Sequence, residues 1–286
     1  ADVDWDTLES TYLLESKRLQ IIAPYMNYTF IINPLIINAG TRYDTNSEFG
    51  SEPSYSAGIV YIIDSNSDTR LKADVSTAFN APPLLWKYYE ESLSFITINP
   101  DIKPETALVY ELGLESKPFE KLTLMSRGYQ AKVKDAIAIA LNDQNKFFMK
   151  NFEKFKRQGV EVQSNLDIGW GAGVFGAAAF NEVINETTGE EVKGGSKPVE
   201  SYNAGINYAN KSGLEVAVRG YYDDWNEPAS NEPNDKKFLF DLKLIQRLKN
   251  ISIFLNVFNI GNSSMWADVY FPVKQRYFEG GLSLAW

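Results

Sequence analysis

The sequence contains no cysteine and no histidine. Without cysteine the chain can form no disulfide bond, no thiolate zinc site and no cysteine nucleophile. Without histidine it lacks the commonest general base, the serine–histidine–aspartate arrangement and the two-histidine metal motifs. These absences remove most of the side-chain chemistry on which enzymes depend. We therefore expect a protein that is not an enzyme.

Long hydrophobic runs are also missing. The longest, around residues 30–40, is interrupted by Asn33, Pro34 and Asn38, whereas a membrane helix needs about 20 apolar residues. The chain begins ADVDWD and not with a charged segment followed by an apolar one, so we expect a mature or trimmed N-terminus. Positive charge is in deficit, with 28 Lys and Arg residues against 37 Asp and Glu residues, which argues against nucleic acid as a partner.

Aromatic residues and period-two alternation are abundant. The chain has 16 Tyr, 17 Phe and 6 Trp residues. In residues 99–116 a turn with Pro100 and Pro104 precedes a strand whose even positions, such as Leu112 and Leu114, are apolar. The same alternation recurs along almost the whole chain, for example over residues 35–44, 70–77, 160–168, 202–208, 238–244 and 251–257. It predicts an all-β antiparallel protein of about 12–14 strands.

The predicted connections alternate in length. Short polar turns at residues 65–68, 117–121 and 210–213 alternate with long loops at 81–103, 185–198, 227–236 and 259–274. This asymmetry is typical of transmembrane β-barrels of the outer membrane. A soluble sandwich also alternates, but two features favour the barrel. Tyrosines lie near the ends of apolar faces (Tyr43, Tyr55, Tyr208, Tyr222), and the polar faces carry glycines, such as Gly40, Gly58, Gly113 and Gly205.

Several motifs, taken in order, resemble those of TonB-dependent outer-membrane receptors. Phe79 to Leu84 is similar to the family's F-R-A-P-x-L element, although Asn80 stands where the family often has Arg. The other blocks are similar to N-P-x-L-K-P-E (residues 99–105), the strand that follows it (110–115), K-D-x-I (134–137), N…G-V-E (Asn151 and 159–161), N-L-F-N (256–259) and a terminal strand that ends on Trp286.

The resemblance implies a 22-stranded barrel in the bacterial outer membrane, with surrounding lipid and an N-terminal plug that contacts TonB. Residues 1–286 match only the C-terminal part of such a barrel. We therefore expect a fragment or a split receptor whose plug and remaining strands come from another chain. A reduced barrel that closes alone is the alternative. The implied function is uptake of a small-molecule metal chelate, a ferric siderophore first and a cobalamin-like compound second. The rival functions are a passive porin and a scaffold that holds a partner protein.

Candidate ligand-binding residues lie in two of the long loops. Trp86, Tyr88 and Tyr89 could stack on an aromatic ligand or pack the loop, and Trp225 lies in a second, acidic loop. In that loop Asp223, Asp224 and Glu227 predict a Ca²⁺ site, because hard cations take several carboxylates, with a solvated loop as the alternative. The absence of histidine disfavours haem as the ligand.

Two further sets of charged residues have predicted positions. Arg70, Asp74, Glu111 and Glu115 are expected to line the interior as a charge network. The basic run at residues 146–157 could attract an anion, such as a siderophore or a lipid phosphate, or consist of solvated strand ends.

Overall fold

The computed structural model describes residues 2–8, 17–88, 96–192, 199–224, 238–263 and 274–284. These residues form fifteen strands and one short helix. The strands are β1 (Asp2–Leu8), β2 (Lys17–Ala23), β3 (Tyr25–Ile32), β4 (Leu35–Asn46), β5 (Gly50–Asp64), β6 (Thr69–Asn80), β7 (Glu105–Phe119), β8 (Leu122–Leu141), β9 (Phe147–Gly169), β10 (Ala172–Asn185), β11 (Glu200–Ala209), β12 (Leu214–Asp224), β13 (Leu239–Leu248), β14 (Ile251–Phe258) and β15 (Tyr277–Leu284). The helix α1 (Leu84–Tyr88) lies between β6 and β7.

All the strands belong to one antiparallel sheet in which each strand pairs with its neighbours in sequence. The one departure is that β2 and β3 both pair with β4 and lie on either side of Pro24. Proline has no backbone N–H to donate, so it interrupts the strand, but its carbonyl still accepts from the N–H of Tyr43 at 3.0 Å. The fifteen strands therefore occupy fourteen sheet positions, at the upper end of the range that the alternation predicts.

The sheet is not closed by the described residues, among which β1 pairs only with β2 and β15 only with β14. Every pair of neighbouring strands is antiparallel, so the sheet is a simple up-and-down meander. Within the described part of the chain, no helix has the length and apolarity to span a membrane.

The register places apolar and polar side chains on opposite faces of the sheet. Leu71 lies opposite Leu114 on one face, while Lys72 lies opposite Gly113 on the other. On the apolar face large side chains are open to solvent, as with Leu112, which is 57% exposed. A sandwich would cover that face with a second sheet, and the described residues form only one. The structure therefore confirms the barrel-wall interpretation over the sandwich.

Connections differ in length at the two ends of the sheet. One end has turns of two to four residues between β3 and β4, β5 and β6, β7 and β8, β9 and β10, β11 and β12, and β13 and β14. The other end carries the long connections, including those that follow β6, β10, β12 and β14. Strands β8 and β9 have 20 and 23 residues, about twice the 9–11 that a tilted strand needs to cross a membrane. Their hairpin therefore extends well beyond a bilayer at the long-loop end.

Aromatic rings follow one another across the apolar face toward the long-loop end. Ring centroids are 5.8 Å apart from Phe180 to Tyr202 and from Tyr202 to Tyr222, and 5.2 Å apart from Tyr222 to Phe238. Tyr208 lies at the opposite end of β11, next to a short turn. This arrangement matches the two aromatic girdles of an outer-membrane barrel.

Candidate functional site

The polar face of the sheet carries a cluster of ion pairs on four adjacent strands. Lys72 Nζ on β6 lies 2.6 Å from Glu115 Oε1 on β7. Arg127 on β8 reaches carboxylates on both sides, with Nη1 3.5 Å from Glu111 Oε1 and Nη2 2.9 Å from Glu161 Oε2. These side chains come together because the register sets Gly113, Arg127 and Glu161 opposite one another. Because Gly113 has no side chain, the long side chains of Lys72 and Arg127, which lie opposite it on the two neighbouring strands, have space on this face.

Of the four residues predicted to form a charge network, only Glu111 and Glu115 belong to the observed ion-pair cluster. Asp74 lies opposite Glu111 but makes no ion pair among the described residues. Arg70 does not join the polar-face cluster, because its guanidinium pairs with Asp68 in the turn before β6. Asp68 also lies 3.5 Å from Lys117 Nζ. These contacts, first the hydrogen bond from Arg70, lower the pKa of the Asp68 carboxyl. The cation at the centre of the cluster is Arg127 instead, which sequence reasoning did not single out because it belongs to no recognisable motif.

The ion-pair cluster borders a concavity of about 560 Å³. Its charged lining consists of Lys72 and Arg127 against Asp74, Glu111, Glu115 and Glu161. Acidic groups thus outnumber basic ones by four to two. A concave wall with this excess attracts cationic groups. The polar but uncharged part of the lining includes Gln163, Ser201 and Asn203.

The connection between β6 and β7 is tied to the β8–β9 hairpin by a set of hydrogen bonds. Asn99 Nδ2 donates to the carbonyl of Met149 at 2.9 Å. Asn151 accepts from the N–H of Lys103 at 2.8 Å and donates to the carbonyls of Lys103 and Asp135 at 2.8 and 2.7 Å. Three of the sequence motifs therefore meet at one place in the structure.

Glu105 extends this hydrogen-bonded set to β6. Its carboxylate accepts from the N–H of Ile137 at 3.1 Å and from Asn80 Nδ2 at 2.7 Å. Asn80 is the position at which the sequence departs from the family motif. Its amide still reaches the motif's glutamate, so the connection between β6 and β7 is held at both ends.

A second connection, between β14 and β15, is anchored by Asn259. This side chain is buried, at 2% exposure. Its Nδ2 donates to the carbonyls of Ser263 and Lys274 at 2.8 and 3.0 Å, and its Oδ1 accepts from the N–H of Ser263 at 2.9 Å. Its own N–H donates to Asp241 Oδ1 at 2.8 Å. One residue thereby fixes both ends of the loop.

Two of the predicted ligand-binding aromatics lie where they position the β6–β7 connection. The Tyr88 hydroxyl donates to the Glu48 carboxylate in the turn between β4 and β5, and Lys87 Nζ lies 3.3 Å from the same carboxylate. The Trp86 carbonyl accepts from the N–H of Asn99 at 3.4 Å, and the Trp86 side chain is half-buried. Tyr89 lies outside the described residues, so ligand binding by this group stays a prediction.

The acidic residues predicted to bind Ca²⁺ are only partly described. Asp223 lies opposite Ser201, whose hydroxyl donates to it, and Asp224 lies opposite Glu200. As consecutive residues of a strand they project to opposite faces. Trp225 and Glu227 lie outside the described residues. In the part of the chain that is described, no group of three acidic, histidine or cysteine side chains could hold a metal ion. The Ca²⁺ site stays a prediction.

Comparison with known proteins decides the family. A sequence model of the TonB-dependent receptor-like β-barrel matches residues 4–260. The chain belongs to the TonB-dependent receptor β-barrel family. Members are receptors and transporters of the bacterial outer membrane and not enzymes, so the predicted location and the predicted absence of catalysis are confirmed. The polar face is the lumen wall, and the apolar face contacts lipid.

Individual relatives agree with this assignment. The vitamin B12 transporter BtuB of Vibrio vulnificus (strain YJ016) is 26% identical over 149 residues, which are 51% of this chain and 23% of that protein. The fold resembles the siderophore receptor PirA from Pseudomonas aeruginosa, with a TM-score of 0.77 at 16% identity over 98% of this chain and 49% of that one. It also resembles the copper transporter OprC, with a TM-score of 0.76 at 15% identity over 93% and 48%. The chain thus spans about half the length of these structures.

Proposed function

We propose that this chain forms the C-terminal part of the wall of a TonB-dependent receptor that imports a scarce nutrient. The nutrient is a ferric siderophore or a cobalamin-like compound. The remaining strands, which complete a barrel of about 22, and the plug come from elsewhere. The relatives support this class of cargo, because their names describe a vitamin B12 transporter, a siderophore receptor and a copper transporter.

The observation that carries the proposal is the acidic concavity on the lumen wall. A passive pore needs only a polar, water-filled lumen. Here Arg127 is already shared between Glu111 and Glu161, and Asp74 adds further negative charge to the same surface. Such a wall is complementary to a folded domain that presents basic groups. A plug docked there would leave the ligand at the long-loop end until TonB displaces the plug.

The two fixed loop connections support a binding role for the long-loop end. Asn99, Glu105 and Asn151 hold the β6–β7 connection, and Asn259 holds the β14–β15 connection. Binding loops on a rigid scaffold lose little conformational freedom when a ligand arrives. The region around Trp86 and Tyr88 is the part of this rim that we expect to contact the ligand.

Uptake measurements test the transport function. Cells with and without the gene for this protein are supplied with radiolabelled ferric siderophore or cobalamin, in strains that contain or lack TonB. We expect uptake of one nutrient to require both the gene and TonB. Uptake that persists without TonB, together with steady conductance of the purified protein in planar bilayers, would support a passive porin instead.

A crosslinking experiment tests the plug. Because the chain has no cysteine, a single introduced cysteine is unique within it. Ala179 lies opposite Glu161 on the lumen face, whereas its neighbour Ala178 lies opposite Val162 on the lipid face. A heterobifunctional crosslinker attached to Ala179→Cys should capture plug sequence, identified by mass spectrometry. The matched Ala178→Cys variant should not, and equal capture by both would count against a docked plug.

A further inference from the structure

Four lysines lie in two directly opposed pairs on the β8–β9 hairpin. Lys132 lies opposite Lys156, and Lys134 lies opposite Lys154. Lys154 and Lys156 are an even number of residues from Val160 on β9, and the other two lysines lie directly opposite them on β8. All four side chains therefore project from the lipid-facing side of the wall and not into the lumen. Lys132, Lys134 and Lys154 are exposed, and Lys156 is half-buried. We call these four residues the lysine cluster.

The lysine cluster carries an excess of positive charge, with four lysines against two neighbouring glutamates. Like charges directly opposite each other on a sheet are destabilising. Among the described residues, none of the four lysines makes an ion pair with a carboxylate. Two acidic residues of the same parity lie beside the cluster. Glu182 accepts a hydrogen bond from Gln158 at 2.6 Å, and the N–H of the exposed Glu186 donates to the Lys154 carbonyl at 3.0 Å. In a chain with a net charge of −9, this concentration of positive charge calls for an anionic partner.

The position of the cluster along the strands indicates what that partner is. Moving along β9 toward the long-loop end, the lipid face reads Val162, Val160, Gln158, Lys156 and Lys154. Lys132 is the eleventh residue of β8, and a membrane strand needs about 9–11. The cluster therefore begins where the hydrocarbon ends, at the depth of lipid headgroups.

The surface below the cluster is suited to acyl chains. A groove of about 1010 Å³ crosses the lipid face from β7 to β13. Its lining includes small residues, among them Ser126, Gly176 and Ala178, and larger apolar residues such as Val162 and Phe240. An anionic headgroup at the lysines would place its hydrocarbon chains over this groove. Positive charge above and apolar surface below together match an amphiphilic anion.

We propose that the lysine cluster binds the phosphate of an anionic membrane lipid in the leaflet at the long-loop end, with the lipid's acyl chains in the groove below. Lysine ammonium groups recognise phosphate as point charges and donate charge-assisted hydrogen bonds. The bound phosphate would also relieve the repulsion between the paired lysines. This inference is independent of which nutrient is transported, because the cluster faces away from the lumen.

The test compares lipids that differ only in headgroup. The protein, purified in a neutral detergent, is titrated with phosphatidic acid or with phosphatidylcholine of the same chains, and bound lipid is counted by native mass spectrometry. We expect a preference for phosphatidic acid. A lysine near an anionic lipid surface strengthens binding about fivefold, so replacing all four by glutamine should reduce that preference by at least about twentyfold.

Matched variants make the result specific. The same substitution at three exposed lysines near the short turns should leave the preference unchanged within about twofold; these are Lys121, Lys211 and Lys249. Replacing the four cluster lysines by arginine should retain the preference and shows that the hairpin tolerates substitution. An unchanged preference in the glutamine variant would overturn the proposal. So would release of the lipid by an equal concentration of inorganic phosphate, which would indicate a site for free anions.

Discussion

Replacement of Asn259 by alanine provides a sharp test of how the β14–β15 connection is held. The side chain is 2% exposed and makes three hydrogen bonds, two as a donor to the carbonyls of Ser263 and Lys274 and one as an acceptor from the N–H of Ser263. The backbone φ of Asn259 is +49°, a left-handed conformation that asparagine adopts more readily than alanine. The substitution therefore removes hydrogen bonds and also imposes a conformational cost.

The expected loss of folding stability is the sum of these two effects. A net hydrogen bond contributes about 1 kcal/mol, and leaving a buried partner unsatisfied costs more. Three lost bonds therefore cost roughly 3 kcal/mol, and the left-handed conformation adds about 1 kcal/mol for alanine. The total of about 4 kcal/mol is a large part of the 5–15 kcal/mol that stabilises a typical folded protein. Asn259→Gly should cost about 1 kcal/mol less than Asn259→Ala, because glycine adopts this conformation freely.

The assay is urea unfolding of the protein in detergent micelles, followed by tryptophan fluorescence. Asn250→Ala is the matched control, because Asn250 lies exposed in the turn between β13 and β14. We expect the Asn250 variant to unfold within about 0.5 kcal/mol of the parent. A loss below about 1 kcal/mol for Asn259→Ala would refute the reasoning, since it would mean that water replaces the side chain without penalty.

Three further predictions concern other positions. Asn151→Ala should free the β6–β7 connection from the β8–β9 hairpin, lowering stability by about 2 kcal/mol and increasing proteolysis within residues 81–104; unchanged proteolysis would contradict this anchoring role. Gly171→Ala should destabilise the short turn before β10, because a Cβ there would lie 1.8 Å from the carbonyl oxygen of Ala209, and a thermal midpoint equal to that of the parent would argue against this geometry. Hydrogen bonding from Arg70 lowers the pKa of Asp68, so the stabilisation that Asp68 provides is present above its unfolded pKa and lost as pH falls through the folded one. Urea midpoints of Asp68→Asn and the parent should therefore differ at neutral pH and converge in acid, whereas a constant difference would exclude this ionisation as the cause.

Much of the fold could be predicted because the relevant signal is local. Leu112, Leu114 and their polar neighbours show by alternation alone that β7 has one apolar and one polar face. The motif residues Asn99, Glu105 and Asn151 were identified as family markers from the sequence, but not as partners. Their hydrogen bonds join segments 16 to 50 residues apart in the chain. No local pattern contains that information.

The candidate site shows the same division. Glu111 and Glu115 were correctly expected on the lumen wall, because their parity on β7 is fixed by the sequence. Arg70 was expected to pair with them, yet it pairs with Asp68. Asp68, in the turn two residues before Arg70, competes for the Arg70 guanidinium. The alternation of apolar and polar residues does not indicate which carboxylate is nearer. Arg127 takes the central place because the register with β9 brings Glu161 beside it.

The sequence by itself determined the side on which each residue of a strand projects, the order of short and long connections, and the family to which the chain belongs. Those properties depend on period-two geometry and on short motifs, both of which are contained in a few consecutive residues. Only the tertiary structure decided which strands occupy fourteen sheet positions, which carboxylates share Arg127, and that four lysines form opposed pairs at the edge of the lipid face. These depend on register, and a shift of one residue between neighbouring strands would change every cross-strand partner.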